Sequence, residues 1–334
     1  MSNSKQIFDN HGRLINYVRL AVTDRCNLRC FYCMPEEGIE YVDRGELMSY
    51  EEMERMLGVL TSLGITKVRI TGGEPFVRRG MFDFMERVSR IEGIRQIHLT
   101  TNGTMTTKLI PELKRIGIAS VNLSLDSLDR QRFFDITRRD KFPAVWNTFL
   151  ALLAHDIPTK INAVVMEGKN IDDLIPMAAL TKEHPVSVRF IEEMPFNGAG
   201  KHYEQLKWNH RHILSHLKKQ FPKLEKIPDP PHSTSANYQI LGHKGTVGII
   251  AAYSRSFCGS CNRIRITPKG LLKTCLYDDG VFNIKKLMRA GASNAQVREA
   301  FVNALGHRAK DGFEAEKNRT LGFPATESMS TIGG

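Results

Sequence analysis

The chain is predicted to fold as a parallel α/β protein, a barrel or open sheet of six βα units, with a smaller α+β region after it. Three observations carry this. Six short segments rich in Val, Ile and Leu are each followed by a stretch of helical pattern. The segments are nearly continuous in apolar character, as strands covered by helices should be. The alternation then stops after Met194, and a hairpin and further helices follow. Repeated strand–helix alternation is the signature of parallel βαβ connections.

The predicted strands are Tyr17–Thr23, Lys67–Thr71, Gln96–Thr101, Ser120–Leu125, Thr159–Val165 and Val186–Ile191. Between them, helices are expected over Tyr50–Leu63, Met81–Ile91, Lys108–Ile116, Pro143–Ala154 and Ile171–Lys182. The first opens at Ser49-Tyr50-Glu51-Glu52, a capping box in which Ser and Glu satisfy each other's free amides. Residues 195–238 read poorly, apart from a helix near His210–Gln220. A short β region (Val247–Tyr253) follows, then a hairpin over Ile264–Cys275, then helices near Ile284–Arg289 and Asn294–Leu305, the last with a Ser293-x-x-Gln296 capping box. The expected division is 1–240 for the barrel, 241–310 for the C-terminal region and 311–334 for a flexible tail with little periodicity.

Composition bounds the function. A chain of 334 residues with 41% hydrophobic content can bury a sizeable core. No apolar run reaches membrane-span length, and the polar first residues carry no secretion signal, so a cytoplasmic address is expected. The formal net charge of +11 favours anionic partners. Six cysteines are too few for a disulfide framework, and they fall into two groups of three, Cys26, Cys30, Cys33 and Cys258, Cys261, Cys275. Two metal sites are the natural reading.

Cys26-x3-Cys30-x2-Cys33 follows the first strand directly. Three close thiolates suit zinc or an iron–sulfur cluster. A closed zinc site wants four ligands and this loop has no His. A [4Fe–4S] cube on three cysteines leaves one iron open to substrate. Cys258-x2-Cys261-x13-Cys275 spans a hairpin with the turn at Pro268-Lys269-Gly270, and pairing of Cys275 with Asn262 would bring its three thiols together. Here zinc is the stronger rival, with His243 as a possible fourth ligand.

The wording around the first trio resembles the radical S-adenosylmethionine superfamily. The aromatic Tyr32 precedes the third cysteine. Gly72-Gly73-Glu74-Pro75, Thr100-Thr101-Asn102-Gly103 and Ser124-Leu125-Asp126 end the second, third and fourth strands in that family's order. In a parallel barrel those ends share one face, where sites are built. The second trio, its Asn262-Arg263-Ile264-Arg265 sequence and the final Gly333-Gly334 are similar to the GTP 3′,8-cyclase (MoaA) family of molybdenum cofactor biosynthesis.

The resemblance implies an incomplete parallel (β/α)6 barrel of the radical SAM type, a lyase with two [4Fe–4S] clusters that cyclises GTP to (8S)-3′,8-cyclo-7,8-dihydroguanosine 5′-triphosphate. It implies that Tyr32, Gly73, Ser124 and Met194 bind S-adenosyl-L-methionine. It implies that Arg19, Arg69, Thr100, Lys160, Arg263, Ile264 and Arg265 bind GTP, and that Gly333 and Gly334 enter the site on a tail able to reach about 80 Å. Implied partners are GTP, the downstream cyclic pyranopterin monophosphate synthase (MoaC) and an electron donor such as flavodoxin or ferredoxin. No membrane or nucleic acid is implied, and the chain would be a monomer or homodimer.

Strand geometry adds Lys67 and Arg189 to the GTP set. Lys67, Arg69 and Thr71 are two apart and face one way. Unpaired buried cations cost several kcal/mol, so a barrel gathering five of them wants a polyanion. Basic runs such as Lys285-Lys286 and Arg138-Arg139 read as solvated faces. The rival readings are a peptide-modifying twin-cluster radical enzyme and a zinc or RNA-binding module.

Overall fold

The computed structural model describes residues 6–196, 206–320 and 327–333. Strands β1 (Tyr17–Ala21), β2 (Lys67–Thr71), β3 (Gln96–Thr101), β4 (Ser120–Ser124), β5 (Thr159–Val165) and β6 (Ser187–Glu192) lie side by side in chain order, all parallel. Helices α1 (Tyr50–Ser62), α2 (Met81–Ser89), α3 (Ile110–Arg115), α4 (Arg130–Thr137), α5 (Phe142–Ala154) and α6 (Leu174–Glu183) supply the crossovers. Of these, α4 has no counterpart in the sequence reading. It opens on Asp129, whose carboxylate accepts from the Arg132 amide, and ends on Arg138 in the left-handed region at φ 56°. Both capping boxes form, at Ser49 with Glu52 and at Ser293 with Gln296.

The strands are two-faced. In β5, Thr159, Ile161, Ala163 and Val165 are buried, while Lys160, Asn162 and Val164 line an inner cavity. In β2, Val68 and Ile70 enter the core packed under α1 and α2, while Lys67, Arg69 and Thr71 face inward. This alternation explains charged residues in strands that helices cover: the apolar face meets the helices and the polar face meets the lumen.

The C-terminal region is not an appendage to this sheet. Strand β7 (Thr246–Ile250) runs parallel to β6, and strand β8 (Arg263–Ile266) runs parallel to β1, so the parallel arc has eight strands. Antiparallel strands flank it, Leu271–Lys273 and Phe282–Asn283 beyond β8, and Ala236–Ile240 and Leu224–Lys226 beyond β7. The expected boundary at residue 240 therefore cuts through a continuous sheet. Residues 206–240, which gave little periodic signal, form α7 (His210–Gln220) and those two edge strands. The hairpin turns where expected, but with Arg265 opposite Lys273, a register one residue away from that expected; extended, it sets Cys275 level with Arg263 rather than Asn262.

Among the described residues no ladder joins the two ends of the sheet, yet side chains bridge them. The Tyr277 hydroxyl donates to the Ala252 carbonyl at 3.2 Å, and His232 meets the Ser260 carbonyl at 2.9 Å. The arc thus curls into a barrel whose seam is held by side chains. Two further helices, α8 (Ile284–Arg289) and α9 (Asn294–Leu305), pack over α1.

The tail differs from the flexible segment expected. It contains α10 (Gly312–Lys317) and α11 (Met329–Ile332), and Ile332 is only 4% exposed. Gly334 lies outside the described residues. Among the described residues no helix is long and apolar enough to cross a membrane.

Candidate functional site

A cavity of about 450 Å³ occupies the barrel, and all six cysteines line it. The first trio sits in the loop after β1. That loop is pinned from below by α4: the Arg29 and Phe31 amides donate to the Thr137 and Ile136 carbonyls, and Arg138 Nη1 donates to the carbonyls of Arg29 and Met34. Arg138 is thus a clamp on the thiol loop and not a solvated charge. Lys285 is likewise buried, donating to the Glu46 carbonyl.

The strand-end motifs hold the same loop. A Cβ on Gly73 would stand 2.2 Å from the Arg25 carbonyl oxygen, and one on Gly72, at φ 152°, 2.5 Å from that of Thr23. Two glycines are required because β2 ends against the thiol loop's backbone. Glu74, fully buried, accepts from the Thr101 hydroxyl at 2.8 Å and the Asn102 amide at 2.7 Å, tying β2's end to β3's. Burial pushes its carboxyl up to about 7. Asn102 in turn points Nδ2 at Cys26 Sγ, 3.7 Å away. Asp126, beyond β4, accepts from the Tyr32 hydroxyl at 2.9 Å and the Val164 amide at 2.9 Å. Glu74, Asn102 and Asp126 were visible as motif letters, but their roles depend on contacts between strands.

The donor set fits iron–sulfur chemistry. Burial pushes the Cys26 and Cys275 thiols up to about 12, so a metal must displace their protons. Among the described residues no three His, Cys, Asp or Glu groups converge as on a single ion. A cube asks for no such convergence, because each cysteine binds a different iron. His243 is absent from the cavity wall and bonds Thr181 Oγ1 at 2.8 Å on the outer side of the barrel, which removes it as a ligand for the second trio.

Between the two trios the wall is cationic. Arg19, Lys67, Arg69, Lys160, Arg189, Arg263 and Arg265 all line the cavity. Register sets Arg265, Arg19 and Arg69 side by side on β8, β1 and β2. Like charges so opposed destabilise a sheet. Lys67, Arg69, Lys160, Arg189, Arg263 and Arg265 make no ion pair with a carboxylate among the described residues. Burial, then the charge of Arg263, brings Arg265 down to about 10; burial, then Arg189, brings Lys160 down to about 7. Burial and Arg265 also hold Arg19 well below its ordinary value. The buried Arg189 Nε, Asn122 Oδ1 and Asn162 Oδ1 lack hydrogen-bond partners among the described residues. Arg69 is the best held, donating through Nε to the Tyr17 hydroxyl at 2.6 Å and through Nη1 to the Leu99 carbonyl at 3.0 Å.

Tyr32, Gly73, Ser124 and Met194 line the cavity, Met194 packed against the apolar cluster of Phe196, Tyr277 and Ile332 that Cys275 also meets, and Thr100 lies on the cationic wall. Ile264 does not: its side chain is wholly buried in the outer core, so only its backbone faces the lumen side. The tail enters the barrel. Met329 and Ser330 line the cavity, Ser328 Oγ donates to the Cys33 carbonyl at 2.8 Å, and Arg265 Nη1 donates to the Gly333 carbonyl at 2.7 Å. A Cβ on Gly333 would stand 2.9 Å from that of Ala21.

A parallel barrel with a three-thiol loop after its first strand defines the class. A family model described as the Radical SAM superfamily matches residues 20–181, and one described as Molybdenum Cofactor Synthesis C matches residues 186–313. In the solved structure of Streptococcus suis SuiB bound to S-adenosylmethionine the same fold recurs, with TM-score 0.61 at 14% identity, covering 86% of this chain and 69% of that one. A protein of Desulforamulus reducens named GTP 3′,8-cyclase is 39% identical over 330 residues, 98% of this chain and 100% of that protein. The bovine Molybdenum cofactor biosynthesis protein 1 is 38% identical over 303 residues, 90% of this chain but 48% of that protein, so the chain spans about half of that relative's length. The chain belongs to the GTP 3′,8-cyclase family of the radical SAM superfamily.

Proposed function

We propose that this protein cyclises GTP to (8S)-3′,8-cyclo-7,8-dihydroguanosine 5′-triphosphate, an early step of molybdenum cofactor biosynthesis, using S-adenosylmethionine and two [4Fe–4S] clusters. One observation carries the reading: two cysteine trios share a single cavity with a row of cations, of which Lys67, Arg69, Lys160, Arg189, Arg263 and Arg265 make no ion pair among the described residues. Cys26, Cys30 and Cys33 would hold the cluster that binds S-adenosylmethionine, and Cys258, Cys261 and Cys275 the second. When bound, the reduced first cluster and S-adenosylmethionine would supply a 5′-deoxyadenosyl radical, the reagent that takes hydrogen from ribose C3′ so that C3′ can bond to guanine C8; one further electron from the external reductant and one proton then complete the 7,8-dihydro product.

The protein's own part is binding, aim and exclusion of water. Lys67, Arg69, Lys160 and Arg189, on the inner face of β2, β5 and β6, offer charge to a triphosphate. Arg263 and Arg265, on β8 beside the second trio, reach the nucleoside end. Tyr32, Gly73, Ser124 and Met194 line the cavity and would hold S-adenosylmethionine between the first trio and GTP. The tail through Gly333 closes over Ala21 and Thr71 and limits access of water to the reacting carbons. A cytoplasmic setting, an acidic electron carrier and a following enzyme that rearranges the cyclic product complete the reading.

The test is anaerobic reconstitution with iron and sulfide, then incubation with GTP, S-adenosylmethionine and dithionite. About eight irons per chain and a GTP-derived cyclic triphosphate are expected. A peptide-modifying or zinc-binding protein would give no GTP-derived product.

A further inference from the structure

The second thiol site is gripped from behind by a buried charge network that the reaction's substrate contacts do not include. Its hub is Arg308, 4% exposed, just after α9. Its guanidinium fork donates to four residues at once, on three segments of the chain. Nε reaches the Thr274 carbonyl at 2.9 Å, next to Cys275. Nη1 reaches the Cys261 carbonyl at 3.0 Å and Asp9 Oδ2 at 3.1 Å. Nη2 reaches the Arg263 carbonyl at 3.0 Å and the Cys261 sulfur itself at 3.1 Å.

Asp9 also binds Arg13 Nε at 2.6 Å, and Arg13 Nη1 donates to the Cys258 carbonyl at 3.2 Å. Thus one fully buried carboxylate holds two guanidiniums, and each guanidinium holds the backbone of one cysteine. The backbone of Arg308 is locked too: its carbonyl is bonded by Asn10 Nδ2 at 3.0 Å and His11 Nε2 at 2.8 Å. These residues belong to the short N-terminal hairpin Ile7–Phe8 and Leu14–Ile15, which is not part of the main sheet.

A cation this deep, aimed at a sulfur, does more than fasten a loop. A hydrogen bond and a positive charge at a cysteine sulfur favour the more negative, reduced state of an attached cluster, a standard way for a protein to set its potential. We infer that Arg308, anchored by Asp9 and paired with Arg13, positions the ligand loop of the second cluster and raises that cluster's reduction potential through its N–H···S bond to Cys261. The inference rests on the reading of Cys258, Cys261 and Cys275 as cluster ligands.

The experiment compares wild-type holoenzyme with Arg308→Lys, Arg308→Gln and Asp9→Asn. Each is assayed for iron content, thermal unfolding, electron paramagnetic resonance of each cluster, and 5′-deoxyadenosine formed without GTP, which reports the first cluster alone. In Arg308→Gln the reduced-to-oxidised ratio of the second cluster at a fixed poise should fall about tenfold, ~59 mV for one electron. The signal of the first cluster should not move. Arg308→Lys, which keeps the charge but not the fork, should restore part of that shift. Asp9→Asn, the mildest change in shape, removes the carboxylate that offsets Arg308's charge and should move the second cluster's ratio the opposite way, upward. Iron loss confined to the second cluster also supports the inference. It is overturned if neither cluster changes, or if both change alike as the fold weakens. A wild-type protein that binds iron at the first trio only would defeat the second-cluster assignment, and this inference with it.

Discussion

At the scale of single residues the site depends on groups whose chemistry is set by what surrounds them. Gly73 has no room for a methyl group, since a Cβ would meet the Arg25 carbonyl oxygen at 2.2 Å. Gly73→Ala should therefore displace the first thiol loop and remove about half of the iron, leaving the second cluster's signal in place; iron analysis with resonance spectroscopy checks this. Lys160 is brought down to about 7 by burial and its cationic neighbours. A bound triphosphate would favour its ammonium form and raise that value, so GTP binding above pH 7 should be coupled to uptake of a proton at Lys160. Affinity should fall by up to about tenfold per pH unit above 7 and be insensitive to this group below it. Calorimetry across pH measures this, and Lys160→Arg should flatten the slope. The thiols were legible from spacing alone, because a metal site needs several donors of one kind close together. Glu74, Asp126 and Arg308 were not, because each acts through partners on other strands.

At the scale of elements, three of the six central strands have the bounds the sequence indicates, Lys67–Thr71, Gln96–Thr101 and Thr159–Val165. Their β-branched runs end at glycine, asparagine or a polar turn, so the local signal is strong. The hairpin shows the limit of that signal. Its turn residues are explicit, but its register depends on tertiary packing, and it slips by one position from the expected pairing. The tail shows the limit more sharply. Four residues of helix at Met329–Ile332 carry no usable period, and the segment is ordered by what it enters, through Ser328 on Cys33 and Gly333 on Arg265. Deleting Gly333 and Gly334 should abolish the cyclic product while leaving iron content and S-adenosylmethionine cleavage within about twofold, since the tail touches the first thiol loop mainly through Ser328. Product analysis by chromatography separates the two activities.

At the scale of the molecule, the eight-stranded parallel arc could not be read from the sequence, because β7 and β8 join opposite edges of the sheet across long separations. A strand such as Arg263–Ile266 looks like one arm of a hairpin, and nothing local says that its other edge meets β1. Barrel closure is equally non-local. Arg255 lies 3.6 Å from the centre of the Tyr277 ring and 4.3 Å from that of Phe313, and it pairs with the buried Glu316 across the seam. Arg255→Ala would leave Glu316 buried without that charge and should destabilise the protein by about 3–5 kcal/mol, read from denaturant unfolding of the apoprotein.

The proposed reaction requires a radical source and a purine nucleotide to meet in one cavity. It is tested most directly by GTP carrying deuterium at ribose C3′, turned over anaerobically with S-adenosylmethionine and reductant. The predicted result is GTP-dependent 5′-deoxyadenosine that has gained one deuterium, alongside a cyclic triphosphate that has lost it. Unlabelled 5′-deoxyadenosine formed at the same rate with and without GTP would contradict the account.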